Sequence, residues 1–233
     1  MSQIPLPLRL DKHALFATFV AGDNAAAVAH VEALAEGRTA EVVWISGAAG
    51  SGKTHLLQAA CRAAGEAGRR SMYVRLDEGP DSHPDQLLGT ERLDFLALDG
   101  IDAVAGQARW ETRLFSILND FHARGGRLLL AGRSAPVAAR FALADLASRA
   151  AGATFYRLKP LDDEAQLAAL MRHAASRGLD IEPASARFLL NRVERGMPQV
   201  CAWLDRLDRE SLAAQRRITI PFIRSALAAP ETG

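Results

Sequence analysis

Eight consecutive residues, Gly47, Ala48, Ala49, Gly50, Ser51, Gly52, Lys53 and Thr54, fit the pattern GxxxxGK[ST]. The pattern has a physical logic. Glycines let backbone N–H groups turn inward around phosphate oxygens, and a helix starting there adds the partial positive charge of its N-terminus. Lys53 then reaches the β and γ phosphates, and Thr54 offers a hydroxyl to Mg2+. The flanks are those the motif demands, an apolar strand VVWIS (42–46) before it and a helical run HLLQAACRAAGEAG (55–68) after it. That context disfavours a glycine-rich turn with no ligand. His55 directly follows Thr54 and is expected either beside the phosphates or simply at the helix start.

A second, acidic site is expected at the carboxyl end of a neighbouring strand, the edge where open α/β sheets bind ligands. The run FLALD ends on Asp99, which is the expected Mg2+ partner; the alternative is an Asp that only caps the next loop. Hydrolysis also needs a group that orients or deprotonates water. Many P-loop ATPases carry an acid directly after such an Asp, and here that position is Gly100, with Asp102 further along. The expectation is nucleotide binding with slow intrinsic turnover.

These residues need a sheet to hold them. VVWIS (42–46), SMYVRL (71–76), DFLALD (94–99), RLLLAG (127–132) and TFYRL (154–158) are short apolar and β-branched runs separated by helical stretches. Alternation of that kind predicts an α/β fold whose parallel sheet of five strands is covered on both faces. Asn24 is expected to cap a helix reaching Glu36, and Trp110, Leu114, Ile117, Leu118 and Phe121 form a core stripe on a helix over 107–124. Beyond Pro160 the strands stop. Helices are expected over 162–178, 183–196 and 199–215, giving a small helical subdomain. The organisation is therefore a tail over 1–11, an α/β core over 12–160 and a helical part over 161–233.

Composition sets outer limits. The 233 residues are 49% apolar and 24% charged, which excludes a chain disordered throughout. A net charge of +1 argues against bulk electrostatic binding of nucleic acid. Cys61 and Cys201 lie far apart without CxxC spacing, and the six His show no ligand spacing, so buried free thiols and ordinary polar histidines are expected. No apolar run is long enough for a membrane span, and Met1–Asp11 lacks the order of a signal peptide, so the expected setting is cytoplasmic.

A nucleotide-binding α/β core followed by a helical lid resembles the AAA+ proteins, and the match narrows to the DnaA family. FATFVAGDN (16–24) resembles that family's adenine-side segment, with Phe19, Gly22 and Asn24 at matching positions, and DLASR (145–149) resembles the segment holding its arginine finger, Arg149. The likeness is strongest to the family's regulatory inactivators. QIPLPL, that is Gln3, Ile4, Pro5, Leu6, Pro7 and Leu8, resembles their sliding-clamp motif, and RFLL together with LDRLDRESLAAQRRITIPFI (204–223) resembles their C-terminal part. As a linear peptide the motif is sensible: Gln3 hydrogen-bonds at one end, three aliphatic residues fill an apolar cleft, and two prolines pre-extend the backbone.

The resemblance implies negative regulation of replication initiation. An ADP-bound (or ATP-bound) molecule with Mg2+ would dock on the DNA-loaded sliding clamp, the β subunit of DNA polymerase III. It would stimulate hydrolysis of DnaA-bound ATP, with Arg149 acting in trans on the partner's γ-phosphate. No sequence-specific DNA binding and no membrane partner are implied, and self-association stays open. Two departures stand out: Arg133 occupies the place of a polar sensor acid, and Pro198 the place of the lid's sensor arginine, which Arg192 or Arg195 would have to replace. Rival readings are an independent P-loop ATPase or small-molecule kinase, which Gly100 disfavours, and a helicase-loader-like protein, which would not be expected to carry the clamp peptide.

Overall fold

The computed structural model describes residues 10–76, 83–193, 196–214 and 217–229. They divide into two compact units, one built on Asp23–Pro160 with the residues up to Phe16, the other on Leu161–Gly233 with Ala17–Gly22.

The first unit is organised by a five-stranded parallel sheet: β1 (Val42–Ser46), β2 (Ser71–Arg75), β3 (Phe95–Asp99), β4 (Arg127–Gly132) and β5 (Thr154–Arg157), in the order β2-β3-β4-β1-β5. Register aligns Ser46 with Gly132 and Asp99 with Ala131, so the ends of β1 and β3 face the same edge with β4 between them. The strands are covered by α1 (Ala25–Ala35) and α2 (Lys53–Glu66) on one face and by α3 (Ala108–Ala123) and α4 (Ala144–Ala151) on the other. β3 is buried along its whole length, as near-continuous apolar runs in parallel sheets require. Alternate strand residues Trp44, Leu96, Leu98, Leu128 and Leu130 meet the stripe Trp110, Leu114, Ile117, Leu118 and Phe121 of α3. Each such large side chain contributes about 1.5–3 kcal/mol by leaving water. Leu146 and Ala150 of α4 dock into the same cluster.

Asn24 occupies the N-cap of α1, yet its side chain makes no cap hydrogen bond. The carboxamide is engaged elsewhere: Nδ2 donates to the Lys159 carbonyl at 3.0 Å and Oδ1 accepts from the Lys159 N–H at 2.8 Å. It therefore pins the chain leaving β5 to the start of α1, and the capping role expected from sequence gives way to a two-point tertiary clamp. Because Asn24 is buried, Asn24→Ala strands both Lys159 backbone groups and is expected to cost about 1–3 kcal/mol in urea-unfolding measurements.

The second unit contains α5 (Asp163–Ala175), α6 (Pro183–Leu190), α7 (Met197–Ala214) and α8 (Ile220–Ala228). Three helices were expected from the sequence; the fourth, α8, starts at Thr219, whose hydroxyl accepts from the Phe222 N–H, with Pro221 in the first turn. Ile181 and Ile218 form an isolated bridge, and the Arg177 guanidinium, almost fully buried, meets Asp205 at 2.7 Å, tying the end of α5 to α7. Phe19 belongs to this unit, its carbonyl accepting from Arg172 at 3.0 Å. Cys61 is buried, whereas Cys201 is only half-buried on α7. Among the described residues no helix is long and apolar enough to cross a membrane.

Candidate functional site

The loop between β1 and α2 has the geometry its glycines predict. Gly50 and Gly52 adopt φ of 76° and 93°, left-handed values that side chains with a Cβ rarely take. A Cβ on Gly47 would stand 2.5 Å from Ser51 Oγ and 2.9 Å from the Leu158 carbonyl oxygen, so only glycine lets the loop close this tightly. Residues Ala48, Ala49 and Gly50 are exposed at the rim, while Ser51 is buried with its hydroxyl unpartnered. No side chain caps α2, whose N-cap is Gly52, so the first-turn amides of Lys53, Thr54 and His55 remain available to an anion.

Lys53 arches back over this loop, donating from Nζ to the carbonyls of Gly47 at 2.7 Å and Ala48 at 2.8 Å. Burial holds its ammonium below the usual lysine range; Asp99 and Asp102 pull the other way, and Arg133 adds repulsion. Thr54 and Asp99 are brought together from α2 and β3: Thr54 Oγ1 donates to Asp99 Oδ2 at 2.6 Å. Asp99 is buried, and its Oδ2 also accepts from the Tyr73 hydroxyl at 3.1 Å. Burial and the neighbouring carboxylate push Tyr73 well above the ordinary phenol range, which keeps it a neutral donor. Hydroxyl and carboxylate oxygens are the hard donors that a small divalent cation takes beside phosphates.

Asp102 lies near the loop but is committed elsewhere, accepting from the Arg133 N–H and from Ser134 Oγ at 2.9 Å. It fixes the chain beyond β4, where Gly132 leaves room for it: a Cβ there would meet Asp102 Oδ2 at 2.9 Å. Gly100 opens this turn at φ 81°. The His55 ring meets the segment before α1, with Nε2 at 2.8 Å from the Leu15 carbonyl; burial lowers its pKa below the ordinary imidazole value.

Arg149 stands on α4, exposed, with no hydrogen bond or ion pair among the described residues. It borders a shallow groove with Phe115, Leu118, His122 and Asp145. Arg133 is exposed beyond β4, Pro198 lies in the first turn of α7, and Arg192 stacks on Phe188 at 4.0 Å. Gln3, Ile4, Pro5, Leu6, Pro7 and Leu8, like Arg195, lie outside the described residues. Two residues escaped the sequence reading, Tyr73 and Glu111. The second left a signal: an acid among the apolar positions of the α3 stripe.

The parallel sheet with this strand order, the glycine-rich loop and the buried carboxylate beside it define a P-loop NTPase core of the AAA+ type, followed by helices. Residues 23–139, half of the chain, match the family model described as Novel STAND NTPase 5, and the core belongs with the NTPases that this model describes. Residues 163–227 match the family model for the lid domain of Hda. Among solved structures, domain III of the replication initiation protein DnaA from Thermotoga maritima is 21% identical, with a TM-score of 0.78 over 94% of this chain and 98% of that one. AMPPCP-bound DnaA from Aquifex aeolicus is 20% identical, with a TM-score of 0.69 over 89% of this chain and 69% of that one. The Thermotoga maritima RuvB branch migration motor is more distant, at 19% identity and a TM-score of 0.61 over 87% and 67% of the two chains. The chain thus belongs to the NTPase family of that first model, shares the fold of DnaA domain III, and is similar over residues 163–227 to the lid domain of Hda.

Proposed function

We propose that this chain is a DnaA-related negative regulator of replication initiation: an adaptor that holds ADP, docks on the DNA-loaded sliding clamp and stimulates hydrolysis of ATP bound to DnaA. The observation that carries the reading is a complete phosphate cradle in a core whose position after Asp99 is a glycine in a left-handed turn, with an arginine exposed on a helix docked against the core by Leu146 and Ala150. Such a molecule grips a nucleotide and contributes its own cation to another active site.

In this reading the amides of 47–54 and Lys53 bind the phosphates of ADP or ATP. Thr54 and Asp99 hold Mg2+, which neutralises phosphate charge when bound, and Tyr73 steadies the Asp99 carboxylate. Ser51 Oγ, buried and unpartnered, fits a cradle built for an anion. Asn24 and His55 serve at one remove: they spend their polar atoms on Lys159 and Leu15, fixing the segment before α1 and the end of β5. Arg149 presents its guanidinium to the γ-phosphate of the partner's ATP, with the adjoining groove as contact surface.

The test is single-turnover hydrolysis of DnaA-bound ATP with and without the full chain and clamp loaded on DNA. Stimulation that requires both supports the reading, whereas brisk ATP turnover by the chain alone favours an independent ATPase. The clamp contact has its own check. Deleting residues 1–8 is expected to abolish retention on immobilised clamp while leaving the melting temperature unchanged; undiminished retention discards the motif.

A further inference from the structure

Glu111 is an acid in the wrong place for solvent. It lies in the first turn of α3, 1% exposed, on the stripe whose other members are apolar. It has no ion-pair partner among the described residues, and instead its carboxylate accepts three backbone N–H groups. Oε1 takes those of Gly106 at 2.6 Å and Ala142 at 3.0 Å, and Oε2 takes that of Leu143 at 2.6 Å. Burial alone would push the carboxyl up, but the three amides outweigh it and hold the group below the usual carboxylate range.

The last two donors decide what Glu111 does. Leu143 is the N-cap of α4, and no side chain caps that helix. α4 has only eight residues, too few to hold its own start in water. Its apolar anchors are Leu146 and Ala150, which set its face against the core by non-directional packing. The two charge-assisted hydrogen bonds at 142 and 143 add directional contacts that fix the helix start, six residues before Arg149.

We propose that Glu111 is the positioning residue for Arg149: its buried carboxylate fixes the start of α4 so that the guanidinium is delivered in register to a second nucleotide site. The inference rests on the finger role given to Arg149 above. It assigns to an acid that touches no substrate the placement of the cation that does.

The experiment uses the full chain with ADP and two variants. Glu111→Gln keeps the shape but turns one carboxylate oxygen into a donor facing a donor. Glu111→Asp keeps the charge, withdraws it by one methylene and guards against a variant that fails to fold. Amide exchange at Ala142 and Leu143 is expected to quicken by roughly tenfold in Glu111→Gln, with β1 and β3 unchanged. Maximal stimulation of DnaA-bound ATP hydrolysis is expected to drop about 10- to 100-fold, the range for a misplacement of about 1 Å. The concentration for half-maximal stimulation and the affinity for ADP should hold, and Glu111→Asp should fall between. The double variant with Arg149→Ala should be no worse than Arg149→Ala alone. Full stimulation by Glu111→Gln, beside loss in Arg149→Ala, overturns the positioning role and leaves the finger standing. Full stimulation by Arg149→Ala overturns the finger and the positioning role with it, whatever the exchange at 142 and 143 shows.

Discussion

Arg149→Ala is expected to keep the fold and the affinity for ADP while stimulated hydrolysis of DnaA-bound ATP falls by roughly 10³-fold or more, the scale at which arginine fingers act. The fold should be indifferent. The side chain is exposed and unbonded among the described residues, α4 is held by Leu146 and Ala150, and Ala is an excellent helix former. The chemistry should not be indifferent. A guanidinium offers a planar fork of donors to phosphate oxygens as charge moves during transfer, and nothing else on the exposed face of α4 carries that charge. Arg149→Lys therefore recovers only part of the loss, because a point charge replaces the fork. Single-turnover assays beside thermal melts decide the matter; stimulation that survives Arg149→Ala removes Arg149 from the site.

Lys53→Ala should abolish nucleotide binding in practice, weakening ADP by about 10²-fold, the worth of one or two charge-assisted hydrogen bonds. The ammonium bonds the loop itself, resting on the Gly47 and Ala48 carbonyls. Removing it costs the fold little, since Ala48 lies in the exposed rim of the loop. The nucleotide-free melting temperature should stay within a few degrees of the parent, while the rise produced by saturating ADP disappears. Calorimetry showing unweakened ADP uptake by Lys53→Ala would place the nucleotide somewhere other than this loop.

The parts that local chemistry dictates were legible in the residues. All five strands stand where apolar and β-branched runs stand, and the loop from Gly47 to Thr54 sits between a strand and a helix. Strand order was not legible, because β3 and β1 are neighbours of β4 only through pairings far apart in sequence. Nor was α4, whose eight residues place only two side chains in the core, too few for a period to show. Asn24 misled because Asn before a helical run reads as a cap, and the competing partner, Lys159, lies 135 residues away. Glu111 could be seen as an acid among apolar neighbours, but its three acceptor contacts are made to N–H groups that no pattern in α3 announces. Asp102 likewise gained its meaning from the turn after β4.

The left-handed backbone at Gly100 sets a cost on engineering an acid at that position. A glutamate there would have to force a Cβ-bearing residue into a turn of the wrong hand, at about 1–2 kcal/mol, and that turn is also held by the amide of Gly100 on the Ala131 carbonyl. Gly100→Glu alone therefore does not deliver a carboxylate beside Asp99 on an unstrained main chain; the path from strand to turn must be redesigned with it.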